Sequence, residues 1–179
     1  MSTVLRTAVL AMLVMAGAAQ ADVAPGETTQ INERDWEARC RMIGSIFFRL
    51  GEQRLAGVEP KIATFKVSKW AGQAGDTGSH QKMNYNKAVE NAAAFVYRQP
   101  ELLPLTLGHF GYRSCYFEYR FGKEPERVEA SQMLLLESAR ACQKEHPALK
   151  HNREVRDCIA GDSAAIEKRV AKARITVAK

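Results

Sequence analysis

The sequence predicts an all-α fold: a single-domain bundle of five to seven helices stapled by two disulfides. Three observations lead there. Apolar side chains recur at steps of three and four, the period of one helix face, along most of the chain. Gly57, Pro100, Pro104, Gly122, Pro125 and Pro147 punctuate those stripes at helix-length intervals. Four cysteines, Cys40, Cys115, Cys142 and Cys158, lie in or beside the stripes, so their sulfurs face the interior.

The first helix can be capped by Asn32 or Asp35 and can end at Gly57, with Trp36, Cys40, Ile43, Phe47 and Leu50 as its inward line. Residues 60–70 carry a mixed signal. Ile62 and Phe65 suit a helix with Pro60 in its first turn, whereas Phe65 and Val67 alternate as a strand would; the reading adopted is helix. Residues 71–79 (AGQAGDTGS) are glycine-rich without a large apolar side chain and read as a loop. Tyr85, Val89, Ala92 and Val96 form the next stripe.

Residues 105–121 are the most aromatic part of the chain. Phe110, Phe117 and Phe121 share one helical face, and Tyr112, Tyr116 and Tyr119 share the opposite one, with Cys115 beside them. Arg113 and Arg120 fall on one flank and Glu118 on the other. A helix apolar on two sides is either sandwiched in the domain or offers one side to a partner. Residues 126–145 follow as a helix with Val128, Leu135, Ala139 and Cys142 aligned, stopped by Pro147. A short helix carrying Leu149, Val155, Cys158 and Ile159 is expected to end at Gly161. Ser163 then caps a basic amphipathic tail helix, 163–179, with Ile166, Val170, Ala173 and Val177 on one line.

Residues 1–21 read as a cleaved export signal. Arg6 supplies the charge, 8–19 is apolar or small, and Ala19-Gln20-Ala21 fits a signal peptidase site, leaving Asp22 as the new N-terminus. The apolar run covers about 18 Å as a helix, short of the roughly 20 residues that a hydrocarbon core needs. No later stretch is long and apolar enough to span a bilayer. The organisation is therefore a signal at 1–21, a disulfide-stapled domain at 22–162 and the basic helix at 163–179. The expected compartment is the periplasm, with full secretion as the alternative.

Helix geometry selects the cysteine pairing. The midpoint of Cys142 and Cys158 is residue 150, close to the turn near 146–150, and antiparallel helices place residues about equally far from their turn side by side. Their Cα atoms can then approach to the roughly 5–6 Å a disulfide needs. Cys115 and Cys142 are unequally far from the turn near 124, which leaves Cys40 to pair with Cys115. No two cysteines have the close spacing of zinc ligands, and no Cys-x-x-Cys redox pair occurs. Structural disulfides are expected, with no metal and no cofactor.

The formal net charge is +6, one unit of it from Arg6 in the leader. Most of the remainder sits in the tail, where Lys168, Arg169, Lys172, Arg174 and Lys179 face only Glu167. Export argues against nucleic acid as the basic tail's partner and favours an envelope protein or an anionic envelope surface. Asp76-Thr77-Gly78-Ser79 matches the short string at a pepsin-like catalytic aspartate, but it has no second copy and lies in a polar loop. His146 and His151 flank the same turn, with Glu145 and Asp157 as the nearest further ligands. His80 and His109 stand alone. Serine-hydrolase elbows and phosphate-binding glycine loops are absent.

These residues favour a non-enzymatic binding or accessory protein of the envelope, inhibitor and immunity-type roles included. The expected contact surfaces are Tyr112, Tyr116 and Tyr119 with Arg113 and Arg120, and Lys168, Arg169 and Lys172 on the tail. The alternative is a small helical hydrolase of cell-wall polymer, which needs two carboxylates in one cleft, with Glu118 the first acid to test ahead of Glu90 and Glu137.

Overall fold

Among the residues that the computed structural model describes, 33–74, 85–147 and 152–173, the chain forms six helices and no strand. They are α1 (Glu33–Leu55), α2 (Pro60–Ala74), α3 (Asn86–Val96), α4 (Pro104–Phe121), α5 (Pro125–Glu145) and α6 (Asn152–Lys172). The leader, the string at 76–79, His80, Leu149, His151 and Val177 lie outside the described residues.

The punctuation works as its chemistry requires. Gly57, at φ +73°, turns the chain after α1, and the Gly57 and Val58 amides donate to the Arg54 and Gln53 carbonyls. Pro104 and Pro125 occupy the first turn of α4 and α5, where a missing N–H leaves no helical bond unmade. Pro60 begins α2 in the same way.

α1 and α4 are the central pair. Cys40 bonds Cys115, Phe47 meets Gly111, and Gly51 meets Pro104, so numbers rise along one helix as they fall along the other. The pair is antiparallel and unusually close. A Cβ on Gly44 would lie 2.8 Å from the Gly108 carbonyl oxygen, and one on Gly51 would lie 2.8 Å from the Pro104 Cα. Glycine at these positions is a packing requirement, and the Cys40–Cys115 Cα separation of 5.3 Å fits that approach.

Two cores flank the pair. Ile46 and Leu50 of α1 pack with Ala63 and Val67 of α2, Val89 and Val96 of α3, and Leu102 and Leu107. Phe110, Phe117 and Phe121 pack with Leu135 and Ala139 of α5 and Val155, Ile159, Ile166 and Val170 of α6. Phe47, Phe95 and Phe110 join the two, with Phe95 stacked on Phe110 at 4.7 Å. Each such ring pair contributes about 0.5–1.5 kcal/mol beyond the area it buries.

Both predicted disulfides form, Cys40–Cys115 and Cys142–Cys158, the latter with Cα atoms 5.9 Å apart. Three details differ from the sequence reading. Residues 71–74 are not loop but the last turn of α2, because Ala71 continues the buried line of Ala63 and Val67. Ile62 and Phe65, which suggested that helix, point outward. Gly161 does not end a helix: α6 runs straight through it. Val155, Ile159, Ser163, Ile166 and Val170 make one unbroken buried line, and the Ser163 hydroxyl donates to the Ala160 carbonyl instead of capping a new helix. A helical glycine costs about 1 kcal/mol relative to alanine. Burying Ile166 and Val170 returns about 1.5–3 kcal/mol each, so the helix continues.

Candidate functional site

The disulfide-linked ends of α1 and α4 carry most of the residues singled out by sequence. Trp36 lies one helical turn from Cys40, and Tyr119 one turn from Cys115. Across the antiparallel pair their rings stack at 4.9 Å with 16° between planes. Trp36 also tilts against Tyr116 at 5.3 Å, and its buried indole N–H has no partner among the described residues. Tyr119 remains 46% exposed. The covalent bond beneath fixes the spacing of the two backbones, so the stack is built on a rigid base.

The three tyrosines do not act alike. Tyr116 is half-buried and donates its hydroxyl to Glu167 Oε2 at 2.9 Å. Arg120 donates Nε to the other oxygen of the same carboxylate at 2.9 Å. Glu167 thus ties α6 to α4 and occupies the groups that the sequence offered to a partner. Burial, then the bond to Glu167, raises the Tyr116 pKa above its ordinary value; Glu167 likewise raises that of exposed Arg120. Tyr112 is half-buried beside the Arg113 guanidinium, 5.3 Å from the ring centre. Tyr119 is therefore the tyrosine most available to a partner.

Glu118 does not pair with an arginine side chain among the described residues. Its carboxylate accepts from Gln132 Nε2 at 3.1 Å, and the same amide donates to the Ser114 hydroxyl at 2.9 Å. Crowding by the surrounding protein raises its pKa, opposed by the Gln132 bond and by the charge of Arg39. Glu137 lies elsewhere, on an open groove of about 400 Å³ between α5 and α6, together with Asp162, Ser138 and Arg169. There the Ser138 hydroxyl donates to Asp162 at 2.7 Å. Glu90 borders a second open groove of about 480 Å³ between α2 and α3. The three glutamates thus belong to three separate places on the surface.

The basic helix docks on its own domain through Ile166 and Val170, leaving Lys168, Arg169 and Lys172 exposed. At the α5–α6 turn, ligand atoms of Glu145, His146 and Cys158 come within 4.8 Å of one another. Cys158 is consumed by the disulfide, whose sulfur lacks the thiolate charge that binds metal, so this cluster offers only two effective ligands. Asp162 near Cys142 and Cys158 is limited in the same way.

One polar cluster escaped the sequence reading. Arg54, at the end of α1, donates one guanidinium nitrogen to the Val96 and Gln99 carbonyls and the other to the Leu102 carbonyl. The Val96 and Gln99 carbonyls also accept the Gln99 and Leu102 amides, so the guanidinium adds a second bond to each and holds the turns that follow α3, where a cation meets the negative end of the helix dipole. From the far side Arg140 bonds Glu101 and Gln99, and Gln143 bonds the Glu101 carbonyl and the Leu103 amide. Only the tertiary fold brings these together, since Arg54 is 42 to 48 residues from its acceptors.

Compared with known proteins, the chain matches no family model, and no curated protein or solved structure is significantly similar to it.

Proposed function

We propose that this is an exported binding protein of the cell envelope, acting in the periplasm through the Tyr119 end of the α1–α4 pair and the exposed basic side chains of α6. An inhibitor or immunity-type role falls within this reading. The observation that carries it is the Trp36–Tyr119 stack, seated one turn from the Cys40–Cys115 bond with Tyr119 exposed. An aromatic side chain held in place before contact loses little freedom on binding, and aromatic and arginine residues dominate the energetics of interfaces. Lys168, Arg169 and Lys172 add a positive field that steers an acidic partner. The disulfides suit an oxidising compartment, in keeping with the leader at 1–21.

The test is affinity capture from envelope extract with the mature oxidised protein, followed by titration of the purified captured partner. Tyr119→Ala should weaken that partner by roughly tenfold or more, as expected for an interface anchor. Lys168→Glu/Arg169→Glu/Lys172→Glu should weaken it mainly through the association rate, and more at low salt. Substitution is preferable to cutting the chain at Asp162, which would strip Ile166 and Val170 from the core. Unchanged affinity in both variants would reject the surface.

A further inference from the structure

The outward face of α2 is a second surface, separate from the one above. Ala63, Val67 and Ala71 recur at steps of four and are buried. The opposite side carries Ile62, Phe65 and Lys69 at steps of three and four, with Lys61 and Lys66 on its two flanks. Phe65 is 71% exposed and Ile62 49%, while Leu55, just before the turn into α2, is 66% exposed. Three of the five large apolar or aromatic side chains exposed among the described residues therefore fall within residues 55–65. α2 has three lysines, all exposed, and no carboxylate along its length.

An apolar pole bordered on both sides by lysines matches a helix lying in the plane of a bilayer interface. The ring and branched side chain enter the acyl boundary while the lysine stems lie along apolar surface and carry their charges to the phosphates. Fifteen residues span about 22 Å, too short to cross a hydrocarbon core but sufficient to lie on it. The charge selects among occupants. A symmetric pair of α2 helices would bring six lysines together against the exposed Glu59 that precedes each helix, an excess of four positive charges. An anionic headgroup layer answers all of them.

We propose that α2 docks the protein on an anionic lipid bilayer through Ile62, Phe65 and the lysines Lys61, Lys66 and Lys69. The proposal rests on the envelope reading for access to such a surface, and on a different face from Tyr119 for its contact. The test is vesicle flotation of the mature oxidised protein with phosphatidylglycerol–phosphatidylcholine vesicles against pure phosphatidylcholine. Binding to the anionic vesicles that falls with added salt is expected. Ile62→Ser/Phe65→Ser should lower the partition coefficient about tenfold or more. Lys61→Gln/Lys66→Gln/Lys69→Gln should lower it about a hundredfold, or about fivefold per lysine. Both variants should keep the wild-type thermal unfolding curve, because every altered side chain is exposed. Equal partition onto both vesicle types, no partition, or loss only with the α6 charge variant would overturn the proposal. So would a concentration-dependent dimer that Phe65→Ser dissolves. None of these outcomes touches the captured-partner titration, so the two readings fail separately.

Discussion

The two sides of the central helix pair are closed by different chemistry. On the α2–α3 side, no disulfide joins α1, α2 and α3 to one another, and the return from α3 to α4 is held by the Arg54 guanidinium on three carbonyls. On the α5–α6 side, the equivalent closure is the Cys142–Cys158 bond between two antiparallel helices. A covalent link restricts the unfolded chain, whereas the arginine acts only once the fold exists. The comparison teaches that this bundle relies on covalent restraint on one side and on satisfied polar atoms on the other.

The largest effect expected comes from cutting the link between α1 and α4. Cys40→Ser/Cys115→Ser should lower unfolding free energy by about 4–5 kcal/mol, and Cys142→Ser/Cys158→Ser by about 3, as their loop lengths dictate. Urea titration measures both, and equal losses would break the loop-length argument. Arg54→Met should cost about 2 kcal/mol, the scale of charge-assisted bonds lost from a partly buried site. Hydrogen exchange sharpens the contrast. Amides at 97–103 should open faster in Arg54→Met with α5 and α6 unaffected, and the Cys142/Cys158 variant should show the reverse.

The smallest effect concerns Glu118. Its folded pKa is raised, so the folded state holds its proton to higher pH than the unfolded chain does. Stability from this group is therefore full below the ordinary glutamate pKa and is lost as pH rises through the raised value. Glu118→Gln should accordingly gain on wild type between pH 4 and pH 7. Urea midpoints at the two pH values check this, and a variant that loses ground over that interval would contradict the raised pKa.

Much of the frame was legible because it is local. The stripe from Trp36 to Leu50 and the Phe110–Phe117–Phe121 face follow from helical period, Cys142–Cys158 follows from counting residues to a turn, and Cys40–Cys115 follows by elimination. What escaped depends on neighbours remote in sequence. Ile62 and Phe65 suggested the helical face of α2, yet the small line Ala63, Val67 and Ala71 faces inward. Tyr116 and Arg120 looked free because Glu167, 51 and 47 residues away, had no visible reason to reach them. Gly44 and Gly111 carried no apolar signal, although a Cβ at either would strike the opposing helix. A search for glycines on two helices already joined by a predicted disulfide could have found that seam.

The two crosslinks also have an order. Numbered along the chain, the first cysteine joins the second and the third joins the fourth. A polypeptide oxidised as it emerges, N-terminus leading, meets each correct thiol before any wrong one is present. Its assembly should then proceed with an oxidant alone, and a shuffling catalyst should not speed it.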